Sequence, residues 1–186
     1  SIDSCSRLSQ DYINGKRRQN MGNTTYSGPI RSESTIKTIS KNASTGAVTE
    51  IITMGDAPVA LADENKTLDA ATHSGRTLVV PALAANRTIT LPAPVAGQSY
   101  KLIYGGAAEE AENLILLTPG NSNFFLGGIV HLDSNADNVS VYSNGSSNSS
   151  LTLTDFGLFE INVVAKDSTN YYIWGYQEGA DVPAFA

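Results

Sequence analysis

Cysteine is all but missing from this chain: Cys5 is the single example in 186 residues. That excludes an intrachain disulfide and leaves no set of thiolates for a structural zinc site. Charge is scarce as well. Charged residues make up 16% of the sequence, against about 25% in an ordinary soluble domain. Ser, Thr, Asn and Gly take their place, and such side chains compete with helical backbone hydrogen bonds and favour turns and β-surfaces. No apolar run approaches the roughly 18 residues that a membrane-spanning helix needs, so no membrane partner is expected. Residues 1–20 lack the apolar core of a secretory signal. Histidine occurs twice, at His73 and His131. Neither lies in a Gly-x-Ser-x-Gly elbow or another local catalytic pattern. The expectation is therefore of a protein that is not an enzyme, with no catalytic or cofactor-binding residue, no metal ligand and no cofactor to assign.

What charge there is divides unevenly. Arg7, Lys16, Arg17 and Arg18 against Asp3 and Asp11 give residues 1–20 a net charge of +2, residues 21–50 carry +1, and residues 51–186 carry −9. An acidic body is a poor binder of phosphate backbones, so nucleic acid is not an expected partner. The basic lead reads either as a docking arm for an acidic protein surface or as a solvated tail.

Three segments are predicted. Residues 1–20 have little apolar periodicity and read as an extended arm or as an upstream extension of the frame. Lys16-Arg17-Arg18 can be encoded by a purine-rich tract a few codons before Met21, where a bacterial ribosome-binding site would lie. Residues 21–66 form an anchoring segment with a β-hairpin, Thr35–Ser40 and Ala47–Thr53 flanking a Ser44-Thr45-Gly46 turn. Pro58 and Asp63–Lys66 read as a linker or an edge passage. Residues 67–186 form an antiparallel β-sandwich body, so the fold class is all-β, sandwich or jelly-roll-like. The body's strands are read at 76–80, 86–91, 98–104, 114–117, 123–126, 129–132, 138–142, 150–154, 158–164 and 171–176. Prolines and polar turns punctuate them. Ala107–Asn113, acidic through Glu109, Glu110 and Glu112, reads as a loop or a single turn.

Several local patterns invite chemistry. Asp133, Asn135 and Asp137 begin like a calcium loop, but Asn138 stands where Gly is needed and Asn144 where a bidentate Glu is needed. The pattern fits an Asx turn, with cation binding left open. Asn-x-Ser/Thr sequons at Asn23, Asn42, Asn65, Asn86, Asn138, Asn144 and Asn148 follow from the Asn/Ser/Thr-rich composition. Gly105-Gly106 and Gly127-Gly128 do not match a phosphate loop and read as bends or bulges. On the last strand, residues 172, 174 and 176 share one face and 171, 173 and 175 the other. Tyr172, Trp174 and Tyr176 are expected in the core or in an interface. The alternative is an exposed platform for sugar rings.

Three segments carry a resemblance. Phe124–Asp137, reading FFLGGIVHLDSNAD, resembles structural proteins of tailed phages, marine ones in particular. Asp167–Gly175 is similar to a G-T-x-W-Y-V-x-G hairpin that closes many phage β-modules, with Ser168-Thr169 in place of Gly-Thr and Tyr171 in place of the first Trp. Met21–Glu33 resembles the opening of small virion proteins of this kind. About half the chain is covered, and residues 1–20 fall outside. The resemblance implies a head decoration (cement) protein of a bacteriophage virion. Such a protein sits on the outer capsid surface, partners the major capsid protein, stabilises contacts between its subunits and is itself a homo-oligomer, a trimer by family habit. The alternative within the same resemblance is a tail fibre, spike or head-fibre component with a host-glycan-binding β-module.

Overall fold

A computed structural model describes residues 38–51 and 57–186. The expected arm at 1–20, Cys5, the Met21–Glu33 segment and the two ends of the expected hairpin, at 35–37 and 52–53, lie outside the described residues. The chain divides into two compact units, residues 1–53 and residues 54–186.

In the first unit, β1 (Thr38–Lys41) and β2 (Val48–Ile51) pair antiparallel, with Thr38 opposite Ile51 and Lys41 opposite Val48. Asn42 builds the turn between them. Its side-chain oxygen accepts from the N–H groups of Ser44 and Thr45, and its carbonyl accepts from that of Gly46. Gly46 takes the left-handed conformation (φ +71°) that the closure requires.

Residues 57–186 fold into two sheets, so the all-β, sandwich-like class holds. The strands are β3 (Val59–Ala60), β4 (Lys66–Thr67), β5 (Arg76–Val80), β6 (Arg87–Thr90), β7 (Ser99–Tyr104) and β8 (Leu114–Leu117), then β9 (Phe124–Asp133), β10 (Val139–Tyr142), β11 (Ser150–Leu153), β12 (Phe156–Ala165), β13 (Asn170–Gly179) and β14 (Ala184–Phe185). One sheet has the order β10-β9-β13-β12-β7-β5-β3, and the other β14-β11-β8-β6-β4.

The ladders are not antiparallel throughout, as the sequence led one to expect. From β3 to β8 each strand lies in the sheet opposite its predecessor. Neighbours within a sheet are therefore next-but-one in the chain and parallel: β3, β5 and β7 on one side, β4, β6 and β8 on the other. The cause is at the strand ends. Pro81, Pro92 and Gly105-Gly106 end their strands, and the chain then crosses over instead of turning back as a tight hairpin. The long β9 and β13 are parallel too, over ten residue pairs, while β12 is antiparallel to both β13 and β7.

Alternation along the strands fills the space between the sheets. Leu78, Tyr100, Leu102, Phe125, Ile161 and Tyr171 are almost wholly buried there. Burial of a large apolar side chain contributes roughly 1.5–3 kcal/mol. Tyr104 meets Phe156 edge-on at 5.4 Å between ring centres. The Tyr171 hydroxyl donates to the Pro92 carbonyl at 2.7 Å.

Of the two readings of Pro58 and Asp63–Lys66, a linker or an edge passage, the edge passage holds: β3 and β4 each lie at an edge of their sheet. Asp63 binds Arg87 at 2.6 Å, and Asn65 accepts from the Thr88 N–H. One local expectation is corrected: Gly127-Gly128 does not break a strand. It lies inside the continuous β9, where a Cβ on Gly127 would overlap the Ile173 carbonyl and one on Gly128 the Val141 carbonyl. Both glycines are required by close backbone approach. The short helix α1 (Ala70–His73) was not foreseen. Its signal is Asp69, which caps it by accepting from the Ala71 N–H.

Candidate binding face

The outer face of the seven-stranded sheet carries the largest set of exposed aromatic and apolar side chains in the body. Asp167 starts it. Its carboxylate accepts from the N–H groups of Thr169 and Asn170 at 2.7 and 2.8 Å, which holds its pKa below the usual range and turns the chain into β13. From there a period of two decides everything. Tyr171 and Ile173 point into the core. Tyr172, Trp174 and Tyr176 point out, with 45%, 49% and 38% of their surface exposed. These three rings are therefore not part of the core of this chain, which leaves an interface or a ligand platform among the sequence-based alternatives.

Register places their neighbours. Across the ladder from Trp174 lie Gly128 on β9 and Asn162 on β12, and Lys101 on β7 follows Asn162. Tyr142 on β10 pairs with Gly128 on its far side. The next row runs Ser140, Val130, Tyr176, Glu160 and Ile103. Since Gly128 has no side chain, the Tyr142 ring lies against it, one strand over from Trp174. A depression of about 650 Å³ opens there, reaching Glu160, Asn162 and Tyr176. A second, of about 220 Å³, lies on the other side of Trp174 along Thr77, Ser99, Lys101 and Asn162.

The polar groups of this face are already organised. The Asn162 amide donates to Glu160 at 3.1 Å, and the Lys101 ammonium lies 3.0 Å from the same carboxylate oxygen. The Asn162 hydrogen bond first, and Lys101 second, hold the Glu160 carboxyl below its usual range. An organised carboxylate, amide and ammonium among aromatic rings can recognise a ligand with apolar faces and a hydroxylated rim.

The other singled-out residues have local structural uses. His73 Nδ1 accepts from the Asp69 N–H at 2.9 Å, which ties down the start of α1. The Thr72 hydroxyl also lies 2.9 Å from His73 Nδ1, within the same short turn. His131 is buried, and its Nε2–H donates to the Gly179 carbonyl at 3.0 Å. Asp133 behaves as an Asx turn, its carboxylate accepting from the Asn135 and Ala136 N–H groups, and Asn138 accepts from the Asp133 N–H. Asn135 and Asp137 are exposed on that turn. Among the described residues, no group of three or more His, Cys, Asp or Glu is placed to hold a metal ion, and no helix is long and apolar enough to cross a membrane.

Within the acidic loop 107–113, Glu110 turns inward. It accepts from the Tyr104 hydroxyl and from the Leu83 N–H. Burial first, then the neighbouring carboxylate, pushes the Tyr104 phenol up to about 12. Glu109 accepts from the Ala180 N–H at 2.8 Å. Sequence gave no hint of this division of labour, since all three glutamates look alike in a polar run.

Comparison with protein-family models, with curated proteins and with solved structures finds no match to this chain.

Proposed function

We propose that this chain is a binding protein without catalytic activity: a decoration (cement) protein on the outer capsid surface of a tailed bacteriophage. The observation that carries the reading is the division of the chain. The unit 1–53 holds seven basic and four acidic residues, and the unit 54–186 five basic and fourteen acidic. A basic anchor followed by an acidic, self-contained β-body suits a protein that grips a shell with one part and projects the other.

The hairpin of β1 and β2 supports the anchoring role. Two strands of four residues are not stable alone in water, so they gain order by adding to an existing surface. Strand edges of the major capsid protein offer such a surface. Binding the assembled shell and not the separated subunits then stabilises the shell by mass action. The resemblance of the three segments quoted above agrees with this role and adds a trimeric assembly.

The test is to add the purified protein to capsids that lack it, and to image them. Density repeated at fixed lattice positions is the expected result, and it also gives the number of copies at each position. A fibre or spike component is the second reading. What favours it is the exposed aromatic face around Trp174. Finding the protein on tails and not on shells would decide for it.

A further inference from the structure

We propose that the outer face of the seven-stranded sheet is a glycan-binding groove, centred on Trp174, that takes a chain of neutral pyranose sugars. The inference holds whether the protein sits on a capsid or in a fibre, because it concerns the body alone.

Three features of the face argue for a sugar. First, Tyr172, Trp174 and Tyr176 project from alternate positions of one strand, about 7 Å apart along it. A sugar chain that crosses this strand can set a pyranose face on Trp174, with Tyr172 and Tyr176 flanking it on either side. Second, a depression lined by Tyr142, Glu160 and Tyr176 opens on one side of Trp174, and another lies on its other side towards Thr77 and Ser99. A chain can therefore lie across the strands and run on beyond the indole. Third, the floor is not apolar. Asn162, Glu160 and Lys101 form a connected polar set directly beside the rings. A pyranose has C–H faces for the rings and hydroxyls for these groups.

The same floor argues against a protein partner or a second copy as the occupant. Burying the Lys101–Glu160 pair and the Asn162 amide under a dry interface carries a desolvation cost that only matched polar groups offset. Sugar hydroxyls, which donate and accept, offer that match. Charge selects the class of sugar. The body holds fourteen acidic against five basic residues, and Lys101 is already paired with Glu160. Anionic polysaccharides are repelled, and neutral ones are not.

Trp174 is the only tryptophan of the chain, so its fluorescence reports on this face alone. The experiment titrates the full chain with a panel of neutral polysaccharides (glucans, mannans, galactans and N-acetylglucosamine polymers), with alginate and polygalacturonate as anionic controls. The expected result is a saturable blue shift with at least one neutral polymer and none with the controls. Tyr172→Ala and Asn162→Ala each weaken that binding about tenfold, the scale of one lost aromatic or polar contact, while melting temperature moves by no more than a few degrees. Trp174→Ala abolishes it when followed by retardation in polysaccharide-containing gels. Should Trp174→Ala fail to fold, Tyr172→Ala and Asn162→Ala carry the test.

Any of three results overturns the proposal: no neutral polymer shifts the emission or the migration; the anionic controls bind instead; or the free protein shows blue-shifted, quencher-protected emission that reverts on dilution, which means a second copy covers the face. Capsid occupancy is not read by this experiment, so its failure and that of the capsid reading are separate.

Discussion

Trp174 lies opposite Gly128 in the parallel ladder of β9 and β13, so the chain's one indole stands beside a position with no side chain. The edge strand β10 packs tightly on Gly128, through the Val141 carbonyl and the Tyr142 ring. Gly128→Ala should therefore push β10 away from β9 and displace the Tyr142 ring. The expected outcome is a loss of roughly 1–3 kcal/mol, typical of overpacking at a tight site, measured by denaturant unfolding. Faster amide exchange at Val139–Tyr142 should accompany it.

The alternation along β13 gives a sharper test. Tyr171 is wholly buried, whereas Trp174, three residues on, is half exposed. Tyr171→Ala should cost about 3–5 kcal/mol as an aromatic cavity in a packed core. Trp174→Ala should cost no more than about 1 kcal/mol, although the residue removed is larger. Thermal unfolding of the two variants side by side checks this. Equal losses would mean that the outer face is covered.

Asp155 is held at φ +40°, a conformation in which a side chain other than Asn, Asp or Gly is strained. A hydrogen bond with Asp181 first, then burial and the repulsion of Asp181 and Glu109, raise its pKa above the ordinary 3.8. A raised folded-state value means that its contribution to stability is full below about pH 4 and is lost as pH rises through that value. At neutral pH the two carboxylates repel each other. Asp155→Asn keeps the backbone conformation and the hydrogen bond while removing one charge. Its melting temperature should exceed that of the parent at pH 7, and the difference should vanish on acidification to about pH 3.

The Tyr104–Glu110 pair makes a prediction of the same sign in the alkaline range. The phenol is neutral in the folded state up to about 12, against 10.0 ordinarily. Stability linked to it is present below pH 10 and is lost as pH rises through about 12. Burial raises Tyr100 and Tyr171 as well, so phenolate absorbance should show three tyrosines titrating late, and Tyr104→Phe should remove one of them. The same variant leaves Glu110 with one donor fewer in a buried position, which should cost about 1–3 kcal/mol.

Much of the body was legible in the sequence, and the reasons differ by element. Arg76–Val80 and Leu114–Leu117 coincide with β5 and β8 because proline, glycine and polar residues bound them on both sides. The parity of Tyr171 to Tyr176 was legible because the side-chain period of a strand is fixed. What was not legible depends on distant parts of the chain. Gly127-Gly128 looks like a turn locally, and only the backbone of β10 and β13 passing on either side shows why a continuous strand needs glycine there. The parallel winding of β3 to β8 is invisible for the same reason, since strand patterns do not encode which sheet the next strand enters. The edge strands β3, β4 and β14 have two residues each, too few for any period. As for the binding face, its rings were noticed in the sequence. The Asn162–Glu160–Lys101 set beside them was not, because the register between β12 and β7 brings it together.

Removing residues 1–53 tests the division of labour. The body carries its own two-sheet core, so it should unfold at nearly the same temperature as the full chain and keep its exposed Trp174 emission. It should no longer attach to capsids. Retained attachment would place the anchor in the body.

The most direct test of the account is cryo-electron microscopy of capsids lacking this protein after the purified full chain is added. A decoration protein predicts regular density on the outer surface at fixed lattice positions, with the body projecting and a thinner segment running between capsid subunits. Bare shells, with the protein free or on tails only, would contradict it.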